Sequence, residues 1–387
     1  MPFVYHLPTR IVFGRPAHEA VVGALESLRV RDLLLVSDPG LTALGLVESL
    51  QTALARRGCS VTCYTDVSSN PTVDEVERAL ASARETDVKA VVALGGGSPI
   101  DVAKAVAMLM TNGGRYDEYQ WSGKQIGRPS LPLIAVPTTA GTGSEVSKVA
   151  VIVDPHHPFK KGVVSPHLYP ATAVLDPDLT RTLPPDLTAA TGIDAFTHAL
   201  EAYIGRAANP HTDVLALAAM ESIWWALPRA VEDGSDMTAR RALMLAAMWA
   251  GTAMDHAGLG LIHSLSGPLT GLFHLHHGLA NALLLPTVFQ FNLPSISPQR
   301  LDRLQQIMGL EGTAGRQEVA SSLREFVARL GLPTVLASVV DITPLTRPAV
   351  QNQVISDTLR MAMTPNNPRP VGEEDVRRIL TALIEQE

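Results

Sequence analysis

Short apolar runs rich in β-branched residues alternate with amphipathic segments through the first half of the chain, and this rhythm constrains the fold most strongly. Five runs are predicted to be strands, at residues 33–38, 60–65, 90–95, 132–137 and 173–176. Apolar residues at helical spacing predict helices between the early strands, at 19–28, 41–56, 73–84 and 100–110. This order is typical of a parallel sheet with crossover helices, whose ligands bind at the carboxyl ends of the strands.

The residue pattern changes after Leu183, Pro184 and Pro185. From there Ala, Leu and Met recur at spacings of three and four residues, which indicates helices. A chain of 387 residues is also longer than one hydrophobic core usually supports. We therefore predict an α/β domain over residues 1–182 and an all-helical domain over residues 183–387.

Charge and hydropathy argue against several classes of partner. The net charge is −7 and no cluster of Lys and Arg is present, so a nucleic-acid partner is not expected. The longest apolar run, 242–254, is shorter than the roughly 20 residues of a membrane-spanning helix, and the first residues lack the pattern of a secretory signal. We predict a cytoplasmic protein without a membrane partner. Cys59 and Cys63 are predicted to be two buried thiols.

Three consecutive glycines, Gly95 to Gly97, end the predicted strand at 90–95 and precede a helical run. Glycine lets the backbone approach a phosphate closely, and the free N–H groups at a helix start attract anions. Ser98 and Pro99 suit such a start. The segment predicts a pyrophosphate-binding turn. The alternative is an ordinary strand-to-helix turn, which rarely needs three glycines.

A second polar loop, at residues 137–145, has hydroxyls and free amides that suit phosphate and ribose oxygens. It does not complete the Gly-x-Gly-x-x-Gly fingerprint, because Val146 stands at the last position. Asp38 ends another predicted strand, where a carboxylate can accept hydrogen bonds from ribose hydroxyls and would repel a 2′-phosphate. NAD is therefore favoured over NADP, although Asp38 is also a plausible turn residue before Pro39.

Asp194 and His198 stand four residues apart in a stretch with helical spacing, so one cation can contact both side chains. Imidazoles together with a carboxylate suit Fe(II) or Zn(II) rather than Mg or Ca. A hydrogen-bonded core histidine is the ordinary alternative at any single position. Spacing does not decide which further imidazoles take part, because five histidines lie close together in the second half: His256, His263, His274, His276 and His277.

The chain resembles the iron-containing, or group III, alcohol dehydrogenases in five ordered segments: GGGSPIDVAK, PTTAGTGSEV, TGIDAFTHALEAY, GLGLIHSLSGPL and HHGLANALLLP. The resemblance implies a dinucleotide-binding α/β domain followed by an all-α domain, a layout similar to that of dehydroquinate synthase. It also implies a dimer or larger homo-oligomer.

The resemblance selects Asp194, His198, His263 and His277 as ligands of Fe(II), alternatively Zn(II), and gives His263 and His277 a part in catalysis. On the cofactor side the matching positions are Asp38, Asn70, Gly96, Gly97, Ser98, Asp101, Thr138, Thr139, Thr142, Ser144 and Lys160.

One position departs from the family pattern. Many members carry a histidine four residues after the third metal ligand, where this chain has Gly267. That histidine is often assigned to proton transfer, so the resemblance does not identify the residue that transfers the proton in this chain. His274 is a candidate catalytic substitute, and His256 is another.

The implied activity is hydride transfer between NAD(H) and a small alcohol or aldehyde whose oxygen the metal polarises. A cyclase or lyase of the dehydroquinate-synthase type, which also uses a metal and NAD, is an alternative. It would need several Lys and Arg for a polyanionic substrate, and the ligand-bearing half is mostly Ala, Leu and Met around the histidines. A non-catalytic metal or nucleotide-binding protein is a third hypothesis. Lys148 is a candidate partner for a substrate anion, or else a solvated strand residue.

Overall fold

The computed structural model describes residues 2–157, 161–310 and 315–385. The chain forms two compact units. One consists of His6–Arg181, and the other of Met1–Tyr5 together with Thr182–Glu387.

The unit at His6–Arg181 is built on a sheet in which, among the described residues, six strands all run parallel. Numbered along the chain and given in sheet order, they are β1 (Arg10–Phe13), β8 (Thr172–Leu175), β5 (Leu133–Pro137), β4 (Ala90–Gly95), β2 (Asp32–Val36) and β3 (Ser60–Tyr64). Two further strands, β6 (Val149–Ile152) and β7 (Lys161–Val164), pair antiparallel. The helices of this unit are α1 (Ala17–Leu28), α2 (Pro39–Ala43), α3 (Leu46–Ala55), α4 (Val73–Glu85), α5 (Gly97–Asn112) and α6 (Tyr116–Trp121).

Helices cover both faces of this sheet. Residues of α1 and α3, such as Leu25 and Leu54, pack on one face, and residues of α4 and α5, such as Leu80 and Val106, pack on the other. Strands β4 and β5 are therefore buried at every residue, and for this reason they read as continuous apolar runs in the sequence.

The strand order contains a point where the direction of the connections reverses. Strand β2 has β3 on one side and β4 on the other, and the chain continues outward from β4 to β5. In open α/β sheets the ends of the two strands at such a switch point are the usual place for a ligand. The segments after β2 and β4 carry Asp38 and the three glycines, respectively.

The structure corrects three local expectations. The predicted helix at 41–56 is two helices, α2 and α3, because Gly45 between them has a left-handed backbone with φ of 72°. Strands β1, β6 and β7 were not predicted, because each is short and partly exposed, unlike the equally short β8, whose four residues are all buried and apolar or Thr. Cys59 and Cys63 are free thiols that pack on one face of the sheet, but they are half-buried, because β3 lies at the sheet edge.

The second unit contains the helices α7 (Pro185–Ile204), α8 (Pro210–Glu232), α9 (Met237–Ala257), α10 (Leu261–Phe273), α11 (His277–Asn292), α12 (Pro298–Ile307), α13 (Arg316–Arg329), α14 (Pro348–Arg360) and α15 (Glu373–Ile384). Helix α7 is its centre: every residue from Thr188 to Ile204 is buried, and α8, α9 and α11 pack around it. The predicted fold class, an α/β unit followed by a helical unit, is confirmed.

Among the described residues, α8 is the one helix long and apolar enough to cross a membrane by length and composition alone. Its apolar residues do not form one long run in the sequence, because Asp213 and Glu221 interrupt them. A core helix of a soluble protein meets the same criterion, and α8 packs along α7 and α9.

Candidate functional site

Helix α7 carries Asp194, His198 and Glu201 on one face, because residues four and seven positions apart share a helix face. Asp194 is 3% exposed and His198 is 4% exposed. The Nε2 atom of His198 lies 3.5 Å from Asp194 Oδ1. The pair predicted from its spacing is thus brought together on a buried helix.

Helices α10 and α11 bring two more imidazoles to Asp194. His263 lies in the first turn of α10, and His277 is the first residue of α11. Their Nε2 atoms lie 3.5 Å and 3.7 Å from Asp194 Oδ1. Gly278 makes this approach possible, because a Cβ atom there would collide with the Ala190 carbonyl oxygen of α7.

These side chains form a donor set that fits a divalent metal. Asp194, His263 and His277 each present an atom within 4.8 Å of the other two, and His198 adds a fourth donor beside Asp194. Among the residues that the structure describes, no other group of His, Cys, Asp and Glu converges in this way. Three imidazole nitrogens and a carboxylate oxygen are ligands that Fe(II) and Zn(II) accept. The side chain of His277 is 45% exposed, so the group is open to solvent on that side.

The charges in this group favour a cation. Burial opposes ionisation of Asp194, but the imidazoles of His198, His263 and His277 outweigh it and hold the pKa of the carboxyl well below its ordinary value. Burial also lowers the pKa of His263, yet the carboxylates of Asp194 and Glu201 outweigh this effect and raise the pKa to about 9. Two carboxylates therefore concentrate negative charge at a buried place.

Glu201 and Asn281 belong to this group but were not predicted from the sequence. The carboxylate of Glu201 lies 2.6 Å from Nδ1 of His263. The Nδ2 atom of Asn281 donates to Asp194 Oδ1 at 2.7 Å and lies 3.1 Å and 3.3 Å from the Nε2 atoms of His263 and His277. A usable signal was present, because Glu201 follows His198 by three positions and Asn281 follows His277 by four, each on a largely apolar helix.

The candidates for the proton route lie at different places in the helical unit. His274 is exposed and ends α10 with a left-handed backbone, φ 54°. His256 contacts the Thr252 carbonyl through Nδ1 at 2.8 Å, and its ring stacks on Tyr5. Gly267 lies on α10 one turn after His263, and a Cβ atom there would approach Met361. The role of His274 stays a prediction.

In the α/β unit, the two predicted cofactor loops lie side by side after the neighbouring strands β4 and β5. A Cβ atom on Gly97 would come within 2.9 Å of Thr142, and one on Gly96 within 3.5 Å of Thr139. Gly95, with φ of 154°, leaves room for the Pro99 ring. Thr138 is buried at the end of β5. Gly95 and Gly97 are thus required for the close packing of these loops, whereas a Cβ atom on Gly96 would make only an ordinary contact. The free amides at this helix start suit a phosphate.

The loops after β2 and β3 complete this edge. Asp38 caps α2, accepting the Leu41 N–H at 2.9 Å through Oδ1. Ser98 donates to the Ser69 carbonyl, which places the start of α5 beside the loop that holds Asn70. The predicted positions after four adjacent strands therefore share one end of the sheet.

Asp101 and Ser144 contact each other. The Ser144 hydroxyl and the Val151 N–H donate to the two oxygens of Asp101, and the buried Lys104 lies 3.9 Å from it. Here both oxygens of Asp101 serve to join α5 to the 137–145 loop and to β6. Lys160 lies outside the described residues.

Comparisons with known proteins agree across the whole chain. Residues 8–177 match the family model described as iron-containing alcohol dehydrogenase, and residues 188–384 match the C-terminal model of the Fe-containing alcohol dehydrogenase family. The chain is 38% identical to the 4-hydroxybutyrate dehydrogenase of Cupriavidus necator, an alignment that covers 98% of this chain and 99% of that protein.

Two solved structures share the fold. The 1,3-propanediol oxidoreductase gives a TM-score of 0.92 at 32% identity and covers 99% of this chain and 100% of its own. The sulfoacetaldehyde reductase of Bifidobacterium kashiwanohense, solved in complex with NAD+, gives 0.91 at 28% identity and covers 100% of both chains. The resemblance inferred from the five segments is confirmed. The chain belongs to the iron-containing alcohol dehydrogenase family and is an oxidoreductase of that family.

Proposed function

We propose that this protein is a metal-dependent alcohol dehydrogenase, or aldehyde reductase, that transfers a hydride between NAD(H) and a small alcohol or aldehyde. One observation carries the proposal: three imidazole Nε2 atoms converge on Asp194 Oδ1 at 3.5 to 3.7 Å. This donor set suits Fe(II), or alternatively Zn(II). A cytoplasmic homo-oligomer remains part of the proposal.

Asp194, His198, His263 and His277 would hold a divalent metal, which would supply Lewis-acid polarisation of the substrate oxygen, and NAD would supply or accept the hydride. Asp194 contributes the negative charge, and its burial keeps water from competing for that carboxylate. The exposed side of the group, at His277, is where a substrate oxygen can approach. His274 and His256 are the side chains of this unit proposed to hold or release the substrate proton.

The nucleotide is proposed to bind at the carboxyl ends of β2, β3, β4 and β5. The free amides at the start of α5 suit its pyrophosphate, and the hydroxyl-rich loop at 137–145 suits phosphate and ribose oxygens. Asp38 keeps its second carboxylate oxygen for a ribose hydroxyl, because Oδ1 accepts the Leu41 N–H. Its negative charge disfavours the 2′-phosphate of NADP. The proposed cofactor residues are those of the sequence-based prediction: Asp38, Asn70, Gly96, Gly97, Ser98, Asp101, Thr138, Thr139, Thr142, Ser144 and Lys160.

The experiment is a turnover assay of protein purified without oxygen, stripped of metal and reloaded with Fe(II) or Zn(II). The panel takes 4-hydroxybutyrate, 1,3-propanediol and the alcohol of sulfoacetaldehyde, each with NAD and with NADP, because one carries a carboxylate, one is neutral and one carries a sulfonate. We expect reduced cofactor to accumulate together with the aldehyde in the reloaded protein only, and faster with NAD.

Other outcomes favour the alternatives. A cyclase of the dehydroquinate-synthase type returns its NAD unchanged, so product without net NADH would favour that class. Binding of metal and NAD without turnover of any substrate on the panel would favour a non-catalytic protein. Equal rates with and without metal would contradict the proposal.

A further inference from the structure

We propose that Glu201 is a positioning residue of the metal centre, whose carboxylate sets the tautomer and the ring orientation of His263. The inference rests on the proposed function, because it takes His263 as a metal ligand through Nε2. Nothing in the spacing of the sequence paired these residues, which stand 62 positions apart.

The contact between the two side chains fixes where the imidazole proton lies. Oε2 of Glu201 is 2.6 Å from Nδ1 of His263, and the two side chains are 2% and 4% exposed. An ionised carboxylate only accepts hydrogen bonds, so in the neutral ring, the form that binds a metal, Nδ1 carries the proton and Nε2 keeps its lone pair. That lone pair is on the side of the ring that faces Asp194, where Nε2 lies 3.5 Å from Oδ1. A carboxylate behind a metal-binding histidine orients the ring and makes it a better donor.

The same carboxylate also holds the backbone beside His263. Its other oxygen, Oε1, accepts the Ile262 N–H at 2.7 Å, which is a free donor at the start of α10. Asn367 accepts the adjacent Leu261 N–H at 3.2 Å. Gly260 leaves the room for both, since a Cβ atom there would come within 3.0 Å of Glu201 and 3.2 Å of Asn367. Glu201 thus ties both the ring and the helix start to α7.

The substitution Glu201→Gln separates positioning from packing, because glutamine has nearly the same shape. The helix fixes the position of the Ile262 N–H, which donates to the amide oxygen of the new glutamine. The amide NH2 group therefore faces Nδ1 of His263. Nδ1 must then accept a hydrogen bond, and the ring proton moves to Nε2. A protonated Nε2 offers no lone pair to a metal. The variant is therefore expected to keep its fold while opposing metal binding at His263.

Asn367→Ser is the matched control, because Asn367 holds the same helix start without touching the imidazole. Glu201→Asp is a second variant, because it keeps a group that only accepts hydrogen bonds. The full-length chain is stripped of metal and titrated with Zn(II) by calorimetry, and Co(II) absorption reports the ligand set. We expect Glu201→Gln to bind Zn(II) about 10- to 100-fold more weakly with an altered Co(II) spectrum. Glu201→Asp should recover part of the affinity, and Asn367→Ser should bind within about threefold of the parent, a deficit under 1 kcal/mol.

Two results would overturn the inference alone: unchanged Zn(II) affinity in Glu201→Gln, or an equal loss in Asn367→Ser, which would mean that any damage to the helix start has this effect. A parent chain that binds no Zn(II) and no Fe(II) would instead contradict the proposed function, and this inference with it.

Discussion

Asp194 is an ionised carboxylate on the most buried helix of its unit, and such a group is costly unless it is paired. Three imidazoles and the Asn281 amide surround it. Spacing predicted only the pair Asp194 and His198, because four positions on one helix define a shared face. His263 and His277 were assigned from the family resemblance, because the spacing of residues within one helix does not show which residues of another helix they contact.

Glu145, in the hydroxyl-rich loop at 137–145, is a second buried carboxylate. Its burial predicts that the stability of the protein depends on pH. Burial raises its pKa from 4.5 to about 7, and the nearby Lys104 only partly opposes this. Because the folded-state pKa is raised, its stabilising contribution is complete below pH 4.5 and is lost as the pH rises through about 7. The loss amounts to about 3 kcal/mol at most.

The test is Glu145→Gln, which removes the titrating group and nearly keeps its shape. Relative to the parent, the variant should gain about 3 kcal/mol in free energy of unfolding between pH 4.5 and pH 8, measured with denaturant. Glu26→Gln, at an exposed position of α1, controls for the loss of one carboxyl. A difference between variant and parent that does not change with pH would contradict the assignment.

At the scale of elements, the close approach of α11 to α7 places His277. Substituting Gly278 by Ala introduces a Cβ atom against the Ala190 carbonyl, so α11 has to move away. We expect a loss of about 1–3 kcal/mol in stability from overpacking. We also expect weaker Zn(II) binding, because the His277 ring moves with its helix.

Gly271→Ala on α10 is the control, since a Cβ atom there meets nothing within 4 Å. It should leave Zn(II) affinity unchanged and stability equal or slightly higher, because alanine favours a helix by up to about 1 kcal/mol over glycine. If Gly278→Ala binds Zn(II) as tightly as the parent, the helix contact does not place His277.

The long elements could be predicted because their patterns repeat. Strands β4 and β5 and helices α4 and α5 lie close to their predicted positions. Short elements such as β1 and the β6–β7 pair could not, because each strand has only four residues and is partly exposed, so no continuous apolar run marks it. The break at Gly45 depends on a left-handed backbone that a glycine permits but does not require.

At the scale of the whole molecule, the alternation of strands and helices predicted a parallel sheet followed by a helical unit, and both are present. The strand order could not be predicted, because right-handed crossovers allow several orders for the same elements. That order creates the switch point between β2 and β4. A domain boundary near residue 182 and a homo-oligomer remain proposals.

The most direct test of the account is the metal content and Zn(II) affinity of the parent chain, Asp194→Asn and Asp357→Asn. Asp357 is a buried carboxylate on α14 that contacts Gln353, so it controls for the loss of a buried charge. The account predicts bound metal and alcohol-dependent NADH formation in the parent and in Asp357→Asn, and the loss of both in a folded Asp194→Asn. Full metal binding by Asp194→Asn, or turnover by the metal-free parent, would contradict it.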